Sequence, residues 1–177
     1  MFNDFSISVK SQNKKARYAF GGCLGSALIF VIVYMSIPKF QGVVGLVALA
    51  FITAAIYIYN RYVAATYSYD VTTDSVGRPV FVVRQTVGKR TATMCRIDLY
   101  GIRSIEKLDR ESRRAHKTEK GILKYVYCPS LMPDVVYLIS SRTSHENADV
   151  YIEATDEFVA ELNKAIEHSR EYVVEEE

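Results

Sequence analysis

Several common signatures of chemistry are missing from this 177-residue chain. It has three cysteines, Cys23, Cys95 and Cys128, with no Cys-x-x-Cys spacing, so neither a thiol redox pair nor a thiolate zinc site is indicated. Its three histidines, His116, His145 and His168, are scattered and make no metal-ligand pattern. There is no glycine-rich phosphate loop and no nucleophile elbow. Ser104-Ile-Glu-Lys107 matches Ser-x-x-Lys by letter alone, on an alternating strand pattern with no supporting motif. No set of nucleophile, base and oxyanion donors can be assembled, so the sequence points away from an enzyme. No cofactor is implied.

Charge is missing in a more telling way. Residues 18–59 carry a single charge, Lys39, near the middle of the run. A helix rises about 1.5 Å per residue and a bilayer core is about 30 Å thick, so about 20 apolar residues span it. Tyr18–Ile37 and Gly42–Tyr59 have that length, and Pro38–Gln41 suits the turn between them. The first run is too long for a signal peptide, lacks a small-residue cleavage site, and is followed at once by a second. Two membrane-spanning helices are therefore expected. Neither contains Asp, Glu, Lys, Arg or His, which argues for an anchor rather than a transport pathway.

Basic residues set the expected orientation. Lys14, Lys15 and Arg17 precede the first span and Arg61 follows the second, while the turn has only Lys39. The positive-inside rule places both termini in the cytoplasm and the turn outside. Gly21 with Gly25, Gly22 with Ser26, and Gly42 with Gly45 have the spacing that lets helices approach closely in lipid, within one chain or between copies.

The remainder is expected to be one domain. A short linker, 60–65, leads into residues 66–170, with a basic segment at 1–17 and an acidic tail at 171–177. Short β-type runs fall at Thr66–Thr72, Pro79–Val87, Thr91–Leu99, around Ile102, Ile105 and Leu108, and at Ile122–Cys128, Val135–Ser140 and Asp149–Ala154. Residues 109–120 hold one apolar residue, Ala115, and read as an exposed mobile loop. From Thr155 the pattern changes. Thr155 can cap a helix, Asp156 and Glu157 suit its first turn, and Phe158, Leu162, Ala165 and Ile166 make one apolar stripe. Seven strands closed by one helix suggest a partly open barrel.

The order of Tyr69-Asp-Val-Thr-Thr-Asp74, Val82-Val-Arg84, Gly88-Lys-Arg90 and Arg96-Ile-Asp-Leu-Tyr-Gly-Ile-Arg-Ser-Ile-Glu106 resembles the pleckstrin-homology-like domains of bacterial membrane proteins. Over residues 10–170 the likeness is mainly one of architecture, since members of that group often carry a two-helix hairpin just before the domain. It implies a seven-stranded PH-like barrel closed by a C-terminal helix, in a multi-pass protein of the bacterial inner membrane. It also implies a scaffold or oligomerisation role. The hairpin Thr73–Pro79 offers only Arg78 and also holds Asp74, where phosphoinositide-binding relatives place several basic residues. Inositol-phosphate binding is therefore not implied.

Charge is divided within the domain. Residues 84–124 hold 12 basic and 5 acidic residues, and 134–177 hold 3 basic and 12 acidic. Such a dipole can orient a domain against an anionic bilayer or a charged partner. Arg110, Arg113, Arg114, Lys117 and Lys120 are the candidate contacts for lipid or partner, and Lys14, Lys15, Arg17 and Arg61 the expected headgroup neighbours. No nucleic-acid reader motif accompanies them, and no small-molecule substrate is evident. The leading expectation is a membrane-anchored interaction module that binds a protein partner or itself. The alternatives are sensing of anionic lipid and service as an accessory subunit of an exporter or membrane-stress complex.

Overall fold

The computed structural model describes residues 4–10, 14–37, 40–142 and 147–175, with side chains described as far as Arg170. The chain divides into two compact units. One comprises Ser11–Ala65 with Ser130–Met132, the other Met1–Lys10, Thr66–Pro129 and Pro133–Glu177.

The first unit is a helical pair. Helix α1 runs Lys14–Ser36 and helix α2 Gln41–Ile58, continuing as a π turn over Tyr59–Val63. Both Lys14–Ser36 and Gln41–Val63 are long and apolar enough to cross a membrane. The buried residues along the pair are Ala16, Ala27, Ala48 and Ala55, and Phe30 stacks on Phe51 with ring centroids 5.6 Å apart. Of the small residues singled out for packing, Gly45 lies at the contact, where a Cβ would stand 3.3 Å from the Tyr34 ring. Ser26 is half-buried. A Cβ added at Gly21, Gly22, Gly25 or Gly42 would meet nothing within 4 Å. The hydroxyls of Ser36 and Thr53 donate to the carbonyls of Ile32 and Leu49, each at 2.9 Å, so neither needs a partner from outside its helix. Pro38 and Lys39 of the expected turn lie outside the described residues.

The second unit is mainly β. Strand β1 is Phe5–Lys10; β2 is Ala65–Thr73, β3 Pro79–Val87, β4 Arg90–Asp98 and β5 Ile102–Asp109. A short helix α3, Arg110–Ala115, precedes β6, Leu123–Val126, β7, Val135–Arg142, β8, Asn147–Ile152, and the closing helix α4, Asp156–Glu175. One sheet has the order β1-β2-β3-β4, the other β5-β7-β8-β6. β6 lies parallel to β8, while β7 and β8 form an antiparallel hairpin.

Two expectations change here. The strands do not close into one seven-stranded barrel; they form two four-stranded sheets. The eighth strand is β1, from the N-terminal segment read only for its charge. Its alternation of Phe5, Ile7 and Val9 with Ser6 and Ser8 is the period of a half-buried strand, and its burial alternates accordingly. β1 pairs antiparallel with β2, Phe5 opposite Val71 and Lys10 opposite Thr66. The helical pair is thus an insertion between two paired strands, and the chain leaves and rejoins the sheet at adjacent positions. Residues 60–65, read as a linker, hold the π turn to Val63 and then the start of β2 at Ala65.

The core lies between the sheets and under α4. Tyr67, Tyr69, Phe81, Leu99, Ile102, Leu138, Ile139, Ile152 and Leu162 are fully enclosed. Leu162 and its neighbours Phe158, Ala165 and Ile166 form the apolar stripe foreseen for this helix. Thr155 caps it, its Oγ1 accepting from the Phe158 amide at 3.3 Å. Tyr69 supplies one polar link between the sheets, and the Tyr127 hydroxyl, donating to the Met94 carbonyl at 3.0 Å, supplies another. Its hydroxyl donates to the Tyr127 carbonyl at 2.8 Å and accepts from the Glu153 amide at 3.2 Å. Burial holds this phenol well above its ordinary range, against the opposing effect of the Glu153 amide.

Candidate functional site

The basic residues singled out by sequence occupy α3 and the segment that follows it. Asp109 starts the helix. Its carboxylate accepts from the Glu111 amide at 3.1 Å and the Ser112 amide at 2.7 Å, which holds the Asp109 carboxyl below its ordinary range. The helix stops when the His116 amide donates to the Ser112 carbonyl at 2.8 Å. At Gly121 the chain turns with φ of 88°, a left-handed conformation that glycine reaches at no steric cost, and enters β6. The expected featureless loop is therefore a capped helical turn followed by an extended stretch. A side-chain cap and i→i+4 geometry recover part of the ordering entropy that the missing apolar residues cannot.

Arg110, Arg114, Lys117 and Lys120 are exposed on this segment, and Arg113 is half-buried. They share one short stretch of chain, but the side chains that settle inward are others. His116 and Thr118 turn toward β8. The His116 ring stands edge-on to Tyr151 with centroids 6.4 Å apart, and its Nε2 is 3.7 Å from Oδ2 of Asp149. Lys124 of β6 lies over the Tyr151 ring, its Nζ 4.7 Å from the centroid.

Asp149 is almost completely enclosed, and Arg142 of β7 answers it. Both Nη1 and Nη2 of Arg142 donate to Asp149 Oδ1 at 3.1 Å, and Nη1 also reaches the carbonyls of Ser141 and Ala148. Ser140 Oγ completes Oδ1 at 3.3 Å. These contacts all fall on one oxygen, so Oδ2 is left facing His116. Beside it, His116 Nε2 is shut off from solvent with no hydrogen bond, and the enclosed hydroxyls of Thr118 and Tyr151 lie next to each other. Burial raises the Tyr151 phenol above its ordinary range, with Asp149 adding to the shift and Thr118 and Arg113 opposing it. Native proteins leave few buried polar groups unpaired, which marks this spot out.

The sequence reading missed His116, Thr118, Lys124, Arg142, Asp149 and Tyr151 as a group. Four separate elements supply them, and no spacing along the chain signals their convergence. Among the described residues no group of three or more His, Cys, Asp or Glu side chains is placed to hold a metal ion.

The other basic residues named by sequence belong to the helical unit. Lys14, Lys15 and Arg17 are exposed on the first turns of α1. Arg61 lies in the π turn, its Nε donating to Tyr62 Oη at 3.2 Å. A second polar cluster fastens α4: Lys107 reaches both oxygens of Asp156 at 2.8 Å, and Tyr137 donates to the same carboxylate. Lys107 and Tyr137 together keep the Asp156 carboxyl below its ordinary range. Comparison with family models, curated proteins and solved structures found no match for this chain.

Proposed function

We propose that this protein is a membrane-anchored interaction module. Its two helices fix it in a bacterial inner membrane with both termini in the cytoplasm, and its β domain, PH-like in plan, binds a protein partner or a second copy at the inner face. The observation that carries this reading is the pairing of β1 with β2 across the inserted helices. A domain tied by one long linker can wander; one joined to its anchor by two short connections stays within their reach. From Lys10 to Lys14 the chain spans at most about 14 Å even if extended, and Ala64 alone separates the π turn from β2. A domain kept near its membrane meets a partner in that membrane at a raised effective concentration. The two sheets and closing helix support the PH-like plan, and the lack of charged residues in the apolar runs 18–37 and 42–59 supports an anchor rather than a conduit.

A photocrosslinking residue at Arg114 or at exposed Tyr100, introduced into the full chain in native membranes, tests the reading. The expected products are discrete protein adducts, either a dimer of this chain or one recurrent partner. Adducts to lipid alone would discard the interaction module in favour of anionic-lipid sensing, which the exposed Arg110, Arg114, Lys117 and Lys120 would then serve.

A further inference from the structure

The sheet β1-β2-β3-β4 carries its charges unevenly along the strand direction. Lys10, opposite Thr66, ends β1 where the chain leaves for the helices, and Ala65 brings the chain back at the same end. The turn 74–78 closes with the Asp74 amide donating to the Arg78 carbonyl at 2.8 Å, so β3 runs back antiparallel beside β2. Both strands have nine residues, so β3 returns to the end at which β2 began. There Gly88, with φ of 62°, turns the chain through Lys89 into Arg90, which pairs with Val87. Residues 88–94 are exposed on both faces of the strand, so the hairpin end projects past the core. Three cations, Lys10, Lys89 and Arg90, thus meet at one end of the sheet, all exposed. Among the described residues none of the three is in an ion pair. Elsewhere on the same strands the cations are answered: Arg84 holds Asp70 at 2.6 Å and Arg96 stands 3.5 Å from Asp74. The carboxylates Asp4, Asp74 and Asp98 lie toward the opposite end. We propose that the end of this sheet at which the helices are inserted binds anionic phospholipid headgroups, with Lys10, Lys89 and Arg90 as its contacts.

The inference rests on the anchor half of the function proposed above, since it needs the helices to span a membrane. Given that, chain length brings the cations to the ligand. Only Ala64 separates Val63 from β2, a reach of about 7 Å to Ala65. Neighbouring strands are about 4.8 Å apart, so Arg90 lies about 10 Å further across the sheet. The tip therefore stays within about 17 Å of the end of the helical pair, whichever way the domain turns. Lys10 is closer still, on the strand next to β2. The attraction of an anionic surface falls off within a Debye length of about 8 Å, which makes that nearness decisive. A carboxylate at this end would cancel part of the attraction, and the sheet keeps its carboxylates away. A cation near such a surface favours it by about fivefold, so three make a contact that is firm and still reversible. The site shares no residue with 110–120, and that segment stays available for a partner.

A fluorophore attached at Thr91→Cys in the full chain, in nanodiscs, reads the contact through quenching by a nitroxide carried on lipid headgroups. Cys23 and Cys95 are replaced, and Cys128 is buried and does not compete. Quenching should be about twofold stronger or more with phosphatidylglycerol present than in phosphatidylcholine alone, and high salt should erase the difference. Lys89→Glu with Arg90→Glu should abolish it, and Lys89→Gln with Arg90→Gln should shrink it, while Cys128 stays protected in both as the sign of an intact fold. Arg113→Glu with Arg114→Glu should leave it in place. A chain that inserts but shows quenching indifferent to lipid charge overturns the headgroup site and leaves the anchor standing. So does a phosphatidylglycerol effect that survives both Lys89 and Arg90 variants, or one lost only with Arg113 and Arg114. A chain that stays out of nanodiscs overturns the anchor and this site with it.

Discussion

Replacing Tyr69 with Phe removes one oxygen from the middle of the domain. The ring stays, with its stacking on Phe81 at 6.5 Å, so little packing is lost. Two polar contacts go: the bond donated to the Tyr127 carbonyl and the one accepted from the Glu153 amide. A net hydrogen bond is worth about 1 kcal/mol, and a buried group left without its partner costs about 1–3 kcal/mol. The Tyr127 carbonyl is enclosed and the Glu153 amide only half so, which puts the total at about 2–4 kcal/mol. With a urea slope of about 2 kcal/mol/M, the midpoint falls by about 1–2 M. The assay follows Cys128, buried in the core cluster with Leu108, Val136, Leu138 and Tyr151, which a thiol reagent labels only when the domain opens. It uses the full chain in detergent with Cys23 and Cys95 replaced. Tyr100→Phe, at a half-exposed position, is the control and should be neutral. A loss under about 0.5 kcal/mol for Tyr69→Phe would refute the idea that this hydroxyl joins the sheets. The pH profile gives a second check. Burial raises the folded-state pKa of Tyr69, so its contribution is whole below the ordinary tyrosine range of about 10 and is lost as pH climbs past it. The alkaline fall in stability should be steeper in the parent chain than in Tyr69→Phe.

Leu162→Ala should cost about 2–5 kcal/mol in the same labelling assay, because the side chain is fully enclosed; a loss of a few tenths would mean that α4 is not packed on the core. Replacing residues 11–65 by a two-residue Asn-Gly turn should yield a water-soluble folded domain, since Lys10 and Thr66 are directly opposed in register; the segment 66–170 alone should aggregate through the uncovered edge of β2. A cysteine at Lys39 should react with an impermeant thiol reagent in intact cells and one at Glu175 should not; the reverse would overturn the proposed topology. Changing Arg113, Arg114 and Lys117 to Glu should leave folding intact and weaken attachment of nanodisc-held protein to anionic vesicles at low salt, if charge there serves lipid; an unchanged attachment would remove lipid from consideration.

The amino-acid sequence by itself determined the elements whose signal is local. Two long uncharged runs leave a helical pair as their only economical state, and period-two alternation placed seven strands within a residue or two of their observed ends. The stripe Phe158, Leu162, Ala165 and Ile166 behind a Thr155 cap specified α4 in the same way. β1 was equally legible in Phe5, Ile7 and Val9, but the basic residues that follow it drew the reading toward charge. What tertiary structure alone decided is non-local. The division into two sheets, the parallel alignment of β6 with β8, and the insertion of the helices between paired strands depend on contacts between residues far apart in the chain. The site is the clearest case. The exposed arginines and lysines of 110–120 form a run that composition reveals. His116 meets Asp149 only because β6, β7 and β8 assemble beneath α3, and that meeting depends on burial and distance, neither of which a linear pattern encodes.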